Sequence, residues 1–210
     1  MQKMIGNLKQ DLRKYYLLDL GKENPALFKK LELWVNNFGL HCVVIYRFGQ
    51  WASRLYKKNK LLGIIPGIAH RIISFFIKGI HHVDIDAASI GPGFYIGHVG
   101  TIYMGPCKIG NNFSVTHNVT LGWGYSKDKA GVPTIGDNVW IGTGAIITGA
   151  VTIGNGTTIL AGSVVPRSIP DRCLVGGNPG KVLVQNYDNK KLFDYQRFEK
   201  DKAHAVAETQ

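Results

Sequence analysis

The hydrophobic residues of this chain follow two different periods, and the change falls near residue 83. Before that point, apolar residues recur at three- and four-residue spacings, as at Leu27, Leu31 and Trp34. Such spacing is typical of amphipathic helices, and the Asn24-Pro25 pair marks the start of one of them. We therefore predict a helical region over residues 1–82.

After residue 83, aliphatic residues return about every six positions. Twelve such anchors stand in this part of the chain, and ten of the eleven steps between them are six or seven residues long. The anchors are Ile90, Ile96, Ile102, Ile109, Val115, Leu121, Ile135, Ile141, Ile147, Ile153, Ile159 and Val165. This period fits neither an amphipathic helix nor an alternating flat strand, and it is the signature of a parallel β-helix of hexapeptide repeats.

The expected fold class is therefore α+β. It consists of the helical region over residues 1–82, a β-helix over residues 83–182 and a C-terminal tail over residues 183–210. The one long step between anchors, from Leu121 to Ile135, predicts a loop that is extruded from the β-helix.

The net charge of +11 is concentrated in the helical region. Residues 1–82 carry 14 Lys and Arg against 4 Asp and Glu, whereas residues 83–180 carry five of each kind. A basic helical module beside a neutral β-helix indicates an acidic partner such as anionic membrane lipid, and we expect no nucleic-acid partner. A solvated lysine-rich face is the alternative that the charge pattern leaves open.

The segment most similar to a membrane span is residues 61–80, but Pro66, His70, Arg71 and Lys78 interrupt it. The N-terminus has no apolar stretch of signal-peptide length. We expect a cytoplasmic protein whose residues 1–82 contact the inner face of the membrane peripherally.

Several segments resemble one known family in order along the chain. They are IGHVGTIYMG, SVTHNVTLG, VPTIGDNVWIGTGAIITGAVTIG and the GNPGK motif at residues 177–181. The chain resembles the left-handed β-helix acyltransferases, in particular serine acetyltransferases and their polysaccharide O-acetyltransferase relatives. The resemblance covers nearly the whole chain, and it implies a left-handed coil, acetyl-CoA as co-substrate and a homotrimer.

The resemblance also implies catalytic residues. Acetyl transfer requires a base that removes the proton of the acceptor hydroxyl, and His98 falls on the family's catalytic histidine. His117 follows three repeats later in the same column, where a structural or substrate-orienting role competes with a catalytic one. The family's orienting carboxylate stands in an Asp-Ile pair that matches Asp84, with Asp86 as the alternative. A solvent-facing histidine on a coil corner is the non-functional interpretation of His98.

For the co-substrate, the resemblance implies a groove along the C-terminal coils between neighbouring subunits. The matching positions are Gly122, Thr143, Gly144, Ala161, Gly162 and Lys181, of which the lysine would lie near the nucleotide phosphates. Small residues permit close approach of the pantetheine arm. Trp123 and Tyr125 on the extruded loop would stack on the substrate or pack on a neighbouring subunit.

Two departures from the serine acetyltransferase pattern bear on the acceptor. That family carries an aspartate directly before the catalytic histidine, where this chain has Gly97, and an Arg-His pair in the long loop, where it has Gly131-Val132. The groups that would bind the ammonium and carboxylate of serine are therefore missing at these positions. We expect acetyl transfer to a hydroxyl of a sugar or lipid-linked glycan in surface polysaccharide biosynthesis.

Two other functions remain open at this point. They are serine O-acetylation in cysteine biosynthesis and a non-catalytic β-helix scaffold. A metal-dependent β-helix enzyme of the carbonic-anhydrase type needs three histidines on neighbouring coils, and residues 83–180 contain only His98 and His117. We therefore expect no metal cofactor.

Overall fold

A computed structural model describes residues 2–126 and 129–193. Four helices come first in the described chain, followed by short strands and a terminal 3-10 turn at Asn189–Phe193. The helices are α1 (Gln2–Leu20), α2 (Leu27–Asn36), α3 (Phe38–Lys58) and α4 (Lys60–His81). This order confirms the predicted α+β class with its helices at the N-terminus.

Most strands form three parallel sheets. The first sheet contains β1 (Val83–Asp84), β4 (Ile102–Met104), β7 (Thr120–Gly122), β12 (Ile146–Thr148) and β15 (Val164–Val165). The second contains β2 (Ser89–Ile90), β5 (Lys108–Ile109), β10 (Thr134–Ile135) and β13 (Thr152–Ile153). The third contains β3 (Tyr95–Ile96), β6 (Ser114–Val115), β11 (Trp140–Ile141), β14 (Thr158–Ile159) and β16 (Leu174–Gly176), with β17 (Lys181–Val184) antiparallel at its end.

From β1 to β7 and from β10 to β15, consecutive strands fall in different sheets, so each turn of the chain contributes one strand to each side of a three-sided prism. The register is uniform, because Ile96, Val115, Ile141 and Ile159 are direct neighbours along the third sheet. The strand order and register confirm the predicted parallel β-helix.

The core of the prism consists of the aliphatic anchors that the sequence identified. All twelve are buried, and none exposes more than 5% of its surface. Stacking them removes a continuous apolar column from water, and each coil pairs its backbone groups with the next, so the coils stabilise one another.

The long step between anchors is a hairpin of β8 (Gly124–Ser126) and β9 (Lys129–Gly131). It packs closely over the next coil, and a Cβ added at Gly124 would lie only 3.1 Å from Thr148. This is the predicted extruded loop. At the other end of the prism, β17 runs to Val184, slightly beyond the expected boundary at residue 182, and residues 194–210 of the expected tail lie outside the described residues.

The first coil leaves backbone groups of β2 and β3 on an open edge, and two tyrosines from the helices bind them. The hydroxyl of Tyr15 on α1 accepts from the amide of Ile96 at 3.0 Å and lies 3.3 Å from its carbonyl oxygen. The hydroxyl of Tyr46 on α3 likewise accepts from the amide of Ile90 at 2.9 Å and donates to the carbonyl of Ala88 at 3.0 Å. The helices thus replace the missing coil, because an open strand edge would otherwise leave these groups unpaired.

A buried ion pair joins the same helices and the same edge. The guanidinium of Arg47 contacts the carboxylate of Asp11 at 2.7 Å, and both side chains are almost fully buried. Arg47 also donates to the carbonyls of Ile90 at 2.8 Å and Gly91 at 2.6 Å, while Asp11 accepts from the amide of Phe94 at 2.8 Å. Every charge in this group is therefore paired and hydrogen-bonded, which a buried ion pair requires.

This network generates a stability prediction. We expect Asp11→Ala to lower the free energy of unfolding by about 3–5 kcal/mol, because Arg47 would keep a buried charge without its partner. Urea denaturation monitored by circular dichroism measures the change. The matched control is Glu23→Ala, which breaks the exposed Arg13–Glu23 pair and should cost less than about 1 kcal/mol. Equal losses in the two variants would contradict the capping role of Asp11.

Candidate active site

His98 and His117 are neighbours on one edge of the prism. Each lies two residues beyond a strand of the third sheet, and those strands pair in register through Ile96 and Val115. The two imidazole rings are 6.0 Å apart between centroids and meet edge to face at 65°. His98 is exposed and His117 is half-buried. The structure therefore presents two imidazoles in edge-to-face contact on neighbouring coils, and the ring of His98 is open to solvent.

One ring nitrogen of His117 is also informative. Its Nδ1 is buried and has no hydrogen-bond partner among the described residues. An unpaired buried polar atom costs free energy, and native proteins rarely leave one without a partner. Packing within the described residues therefore does not satisfy the polar groups of His117.

Asp19, at the C-terminal end of α1, lies close enough to His98 to be affected by its charge, although no hydrogen bond or ion pair joins the two among the described residues. The hydroxyl of Tyr95 donates to one carboxylate oxygen at 2.7 Å, and the amide of Asn37 donates to the other at 2.8 Å. Burial raises the pKa of Asp19 above its usual value, while the Tyr95 hydrogen bond and the charge of His98 oppose that effect. The carboxylate is thus fixed in place near the exposed histidine.

Gly97 permits this arrangement. A Cβ added at Gly97 would lie 3.3 Å from the ring of Tyr95 and 3.7 Å from Thr116. A longer side chain at this position would press on the ring that holds Asp19. The residue directly before His98 is thus a glycine, and the acidic residue on this side of the prism is Asp19 of α1.

Asp84 and Asp86, the predicted orienting carboxylates, share a partner that the sequence did not predict. The ammonium group of Lys78 on α4 contacts Asp84 at 2.9 Å and Asp86 at 3.2 Å. Burial lowers the pKa of Lys78, but these two carboxylates outweigh burial and raise it. Within residues 2–126 and 129–193, no hydrogen bond or ion pair joins either aspartate to His98. The reason is that α4 ends directly above β1 and brings Lys78 against both side chains.

We did not predict a role for Asp19 from the sequence, although its spacing from other polar residues of α1 could have indicated one. Asp11, Tyr15 and Asp19 stand four residues apart, on one face of α1. Polar residues on a face that also carries buried positions indicate specific partners in the protein. Nothing in the sequence shows which strand that face meets, because Asp19 and Tyr95 are 76 positions apart.

Below the histidines, the same edge continues with small residues. The register of the third sheet places Thr143 after His117, and Ala161 after Thr143. Gly144 and Gly162 adopt positive φ angles of 73° and 68°, and a Cβ at Gly162 would meet no atom within 4 Å. The edge from His98 to Ala161 spans three coil steps, or about 14 Å, with little side-chain bulk below the two imidazoles.

The two remaining co-substrate candidates lie apart from this edge. Gly122 ends β7 in the first sheet, where it pairs with Thr148. Lys181 begins β17, is exposed and pairs with Gly176 near the last coil. Its ammonium group is therefore available at the far end of the prism from His98.

Trp123 and Tyr125 are exposed, and their rings are 5.2 Å apart between centroids. They belong to the hairpin that follows β7, whereas His117 precedes β7. The strand therefore separates the aromatic pair from the histidine pair within one chain. The described residues also contain no group of three His, Cys, Asp or Glu side chains that could hold a metal ion.

Comparison with known proteins relates the chain to one family. Residues 133–167 match the family "Bacterial transferase hexapeptide (six repeats)". The chain is 39% identical over 170 residues to the serine acetyltransferase of Bacillus pumilus, a match that covers 78% of this chain and 72% of that protein.

Two solved structures share the fold. One is the serine acetyltransferase of Brucella abortus in complex with coenzyme A, with a TM-score of 0.70, 25% identity and coverage of 90% of this chain and 70% of that one. The other is the serine acetyltransferase of Neisseria gonorrhoeae in complex with serine, with a TM-score of 0.66, 29% identity and coverage of 87% and 70%.

These relatives show that the expected sugar O-acetyltransferase function is wrong, together with the expected closeness to that group. The prediction depended on Gly97 and Gly131-Val132. It assumed that the site lacks charged groups because these positions lack charged residues. Asp19 shows that a residue far away in the sequence can bring a carboxylate to this end of the prism, where it accepts from Tyr95. The stacked histidines, the repeat architecture and the extent of the similarity agree with one assignment. The chain belongs to the serine acetyltransferase family of bacterial hexapeptide-repeat transferases.

Proposed function

We propose that this protein transfers the acetyl group of acetyl-CoA to the hydroxyl of L-serine. The observation that carries the proposal is the stacked His98–His117 pair beside Asp19, at the head of an open edge, in a chain of this family. The relatives that were solved with serine and with coenzyme A support the choice of both substrates.

In the proposed reaction, His98 is the general base. Its imidazole accepts the proton of the serine hydroxyl while the oxygen forms a bond to the carbonyl carbon of the thioester. The carbon–sulfur bond of the resulting tetrahedral intermediate then breaks, and the departing sulfur takes the proton back from the imidazolium. The products are O-acetylserine and coenzyme A, and the base ends in its starting state.

Asp19 has a separate role in this proposal. Serine is a zwitterion, so its ammonium group needs an anionic partner close to the base. Asp19 is held by Tyr95 and Asn37 and is electrostatically coupled to His98, which suits that partner. We assign it to the ammonium group of the acceptor.

The small-residue edge below the histidines fits the donor. Thr143, Gly144, Ala161 and Gly162 leave room for an extended pantetheine arm that ends at the histidines, and exposed Lys181 suits the phosphates at the other end. Since β7 separates the aromatic pair from the histidines within one chain, we propose a homotrimer in which each loop contacts the histidine edge of the next subunit.

The role of His98 gives the first test of this proposal. We expect His98→Ala to lower kcat for L-serine by about 10²–10⁴-fold, because general-base catalysis contributes an effect of this size. Release of the coenzyme A thiol measures turnover. The matched control is His82→Asn, which removes another exposed histidine at a positive φ of 53° that asparagine tolerates, and it should retain activity. Unchanged turnover in His98→Ala would refute the assignment.

Asp19 gives a second test, in which the sequence-based candidate is the control. We expect Asp19→Asn to raise the KM for L-serine by about 10–100-fold, because one charge-assisted contact with the ammonium group is lost. The KM for acetyl-CoA should stay within about twofold. Asp84→Asn should leave both constants nearly unchanged, since Asp84 pairs with Lys78. A larger effect of Asp84→Asn on serine would reverse the assignment.

The donor edge gives a third test. We expect Ala161→Trp to raise the KM for acetyl-CoA by about tenfold, because the indole would occupy the space that the pantetheine arm needs. Thr152→Trp on the second sheet is the control and should leave this constant unchanged. Calorimetric titration with coenzyme A provides an independent measurement. Equal affinity in both variants would place the donor elsewhere on the prism.

A further inference from the structure

The outer face of α4 is a continuous apolar surface. Leu61, Ile65, Ile68, Ile72 and Phe75 recur at three- and four-residue intervals, and their exposed fractions lie between 53% and 80%. We call these five residues the α4 stripe. Pro66 does not interrupt it, since the helix runs from Lys60 to His81. Soluble proteins seldom leave so long an apolar stripe uncovered, so it indicates an interaction surface.

The helix has the length of a membrane span but not its surroundings. Its 22 residues are long and apolar enough to cross a bilayer, and only 11% of the most apolar window is buried. Its opposite face, however, packs on α3, where a Cβ at Gly63 would lie 2.3 Å from Tyr56. Lys78 holds its C-terminal end to the first coil through Asp84 and Asp86. These contacts favour a helix that lies in the plane of a membrane surface.

The charges around the stripe favour an anionic surface. Residues 38–82 contain seven Lys and Arg and no Asp or Glu, and five of the seven remain after Arg47 and Lys78, which pair with aspartates outside this segment. Lys57, Lys58 and Lys60 cluster at the turn between α3 and α4, and all three are exposed. A second copy of the same helix pair would bring these cations against one another, whereas anionic lipid headgroups would neutralise them.

A cavity beside the stripe adds a polar element. It has a volume of about 350 Å³, lies between α3 and α4, and is lined by residues that include Gly49, Gly67, Ile68 and Arg71. Ile68 belongs to both the cavity and the stripe. The guanidinium of Arg71 can bind a phosphate group. The cavity therefore places a cationic group beside apolar residues, as a phospholipid places its phosphate beside its acyl chains.

We propose that the α4 stripe docks this protein on a bilayer that contains anionic phospholipid. The helix lies along the interface, its stripe enters the boundary of the acyl chains, and the lysines at the turn contact the headgroups. The stripe lies on the helical side of the first coil, away from β16 and β17 at the other end of the prism.

Flotation of the full chain with vesicles tests the proposal. We expect binding to vesicles of phosphatidylcholine and phosphatidylglycerol at a 7:3 ratio (about 30% anionic lipid), weaker binding to pure phosphatidylcholine, and loss of binding as salt increases. The variant Ile65→Asp with Ile72→Asp should bind at least about tenfold less, because two exposed apolar side chains that would enter the bilayer become charged.

The matched control is Leu183→Asp with Val184→Asp, which alters two exposed apolar residues of β17 at the other end of the prism. It should bind like the natural protein. Both variants should keep their circular dichroism and their acetyl transfer in solution, which separates docking from folding. Equal flotation of the stripe variant and the natural protein would overturn the proposal. Absence of vesicle binding by the natural protein would also overturn it. If the natural protein then forms an oligomer that the stripe variant does not form, the stripe joins copies of this chain.

Discussion

The structure depends on how the first coil of the β-helix ends. A β-helix stabilises each coil by the next, so its first coil carries backbone groups that need partners from elsewhere. Tyr15, Tyr46 and the Asp11–Arg47 pair supply those partners from two helices. The helical region is therefore part of the β-helix in energetic terms, although its sequence shows no hexapeptide repeat.

The same contact shapes the proposed site. Tyr15 binds the backbone of Ile96, two residues before His98, and one helical turn later Asp19 meets Tyr95. The docking of α1 thus closes the end of the prism and also positions Asp19 against Tyr95. Under the proposed function, a substitution that loosens the cap lowers stability and acceptor binding together.

Much of this architecture was predictable because it is local and repeated. The twelve anchors are all buried, the long step between them is a hairpin, and a fixed offset from two anchors brings His98 beside His117. The docking of the helices was not predictable, since it joins residues that are far apart in sequence. For this reason the sequence did not indicate the Lys78 contacts of Asp84 and Asp86, or the contact between Asp19 and Tyr95.

We propose that α1 supplies the acidic group that binds the ammonium group of the acceptor. A crystal structure of the protein with L-serine and coenzyme A tests this role most directly. We expect the serine ammonium nitrogen about 3 Å from a carboxylate oxygen of Asp19, and the serine hydroxyl at a similar distance from a ring nitrogen of His98. A serine whose ammonium group pairs with Asp84 or Asp86, away from Asp19, would contradict it.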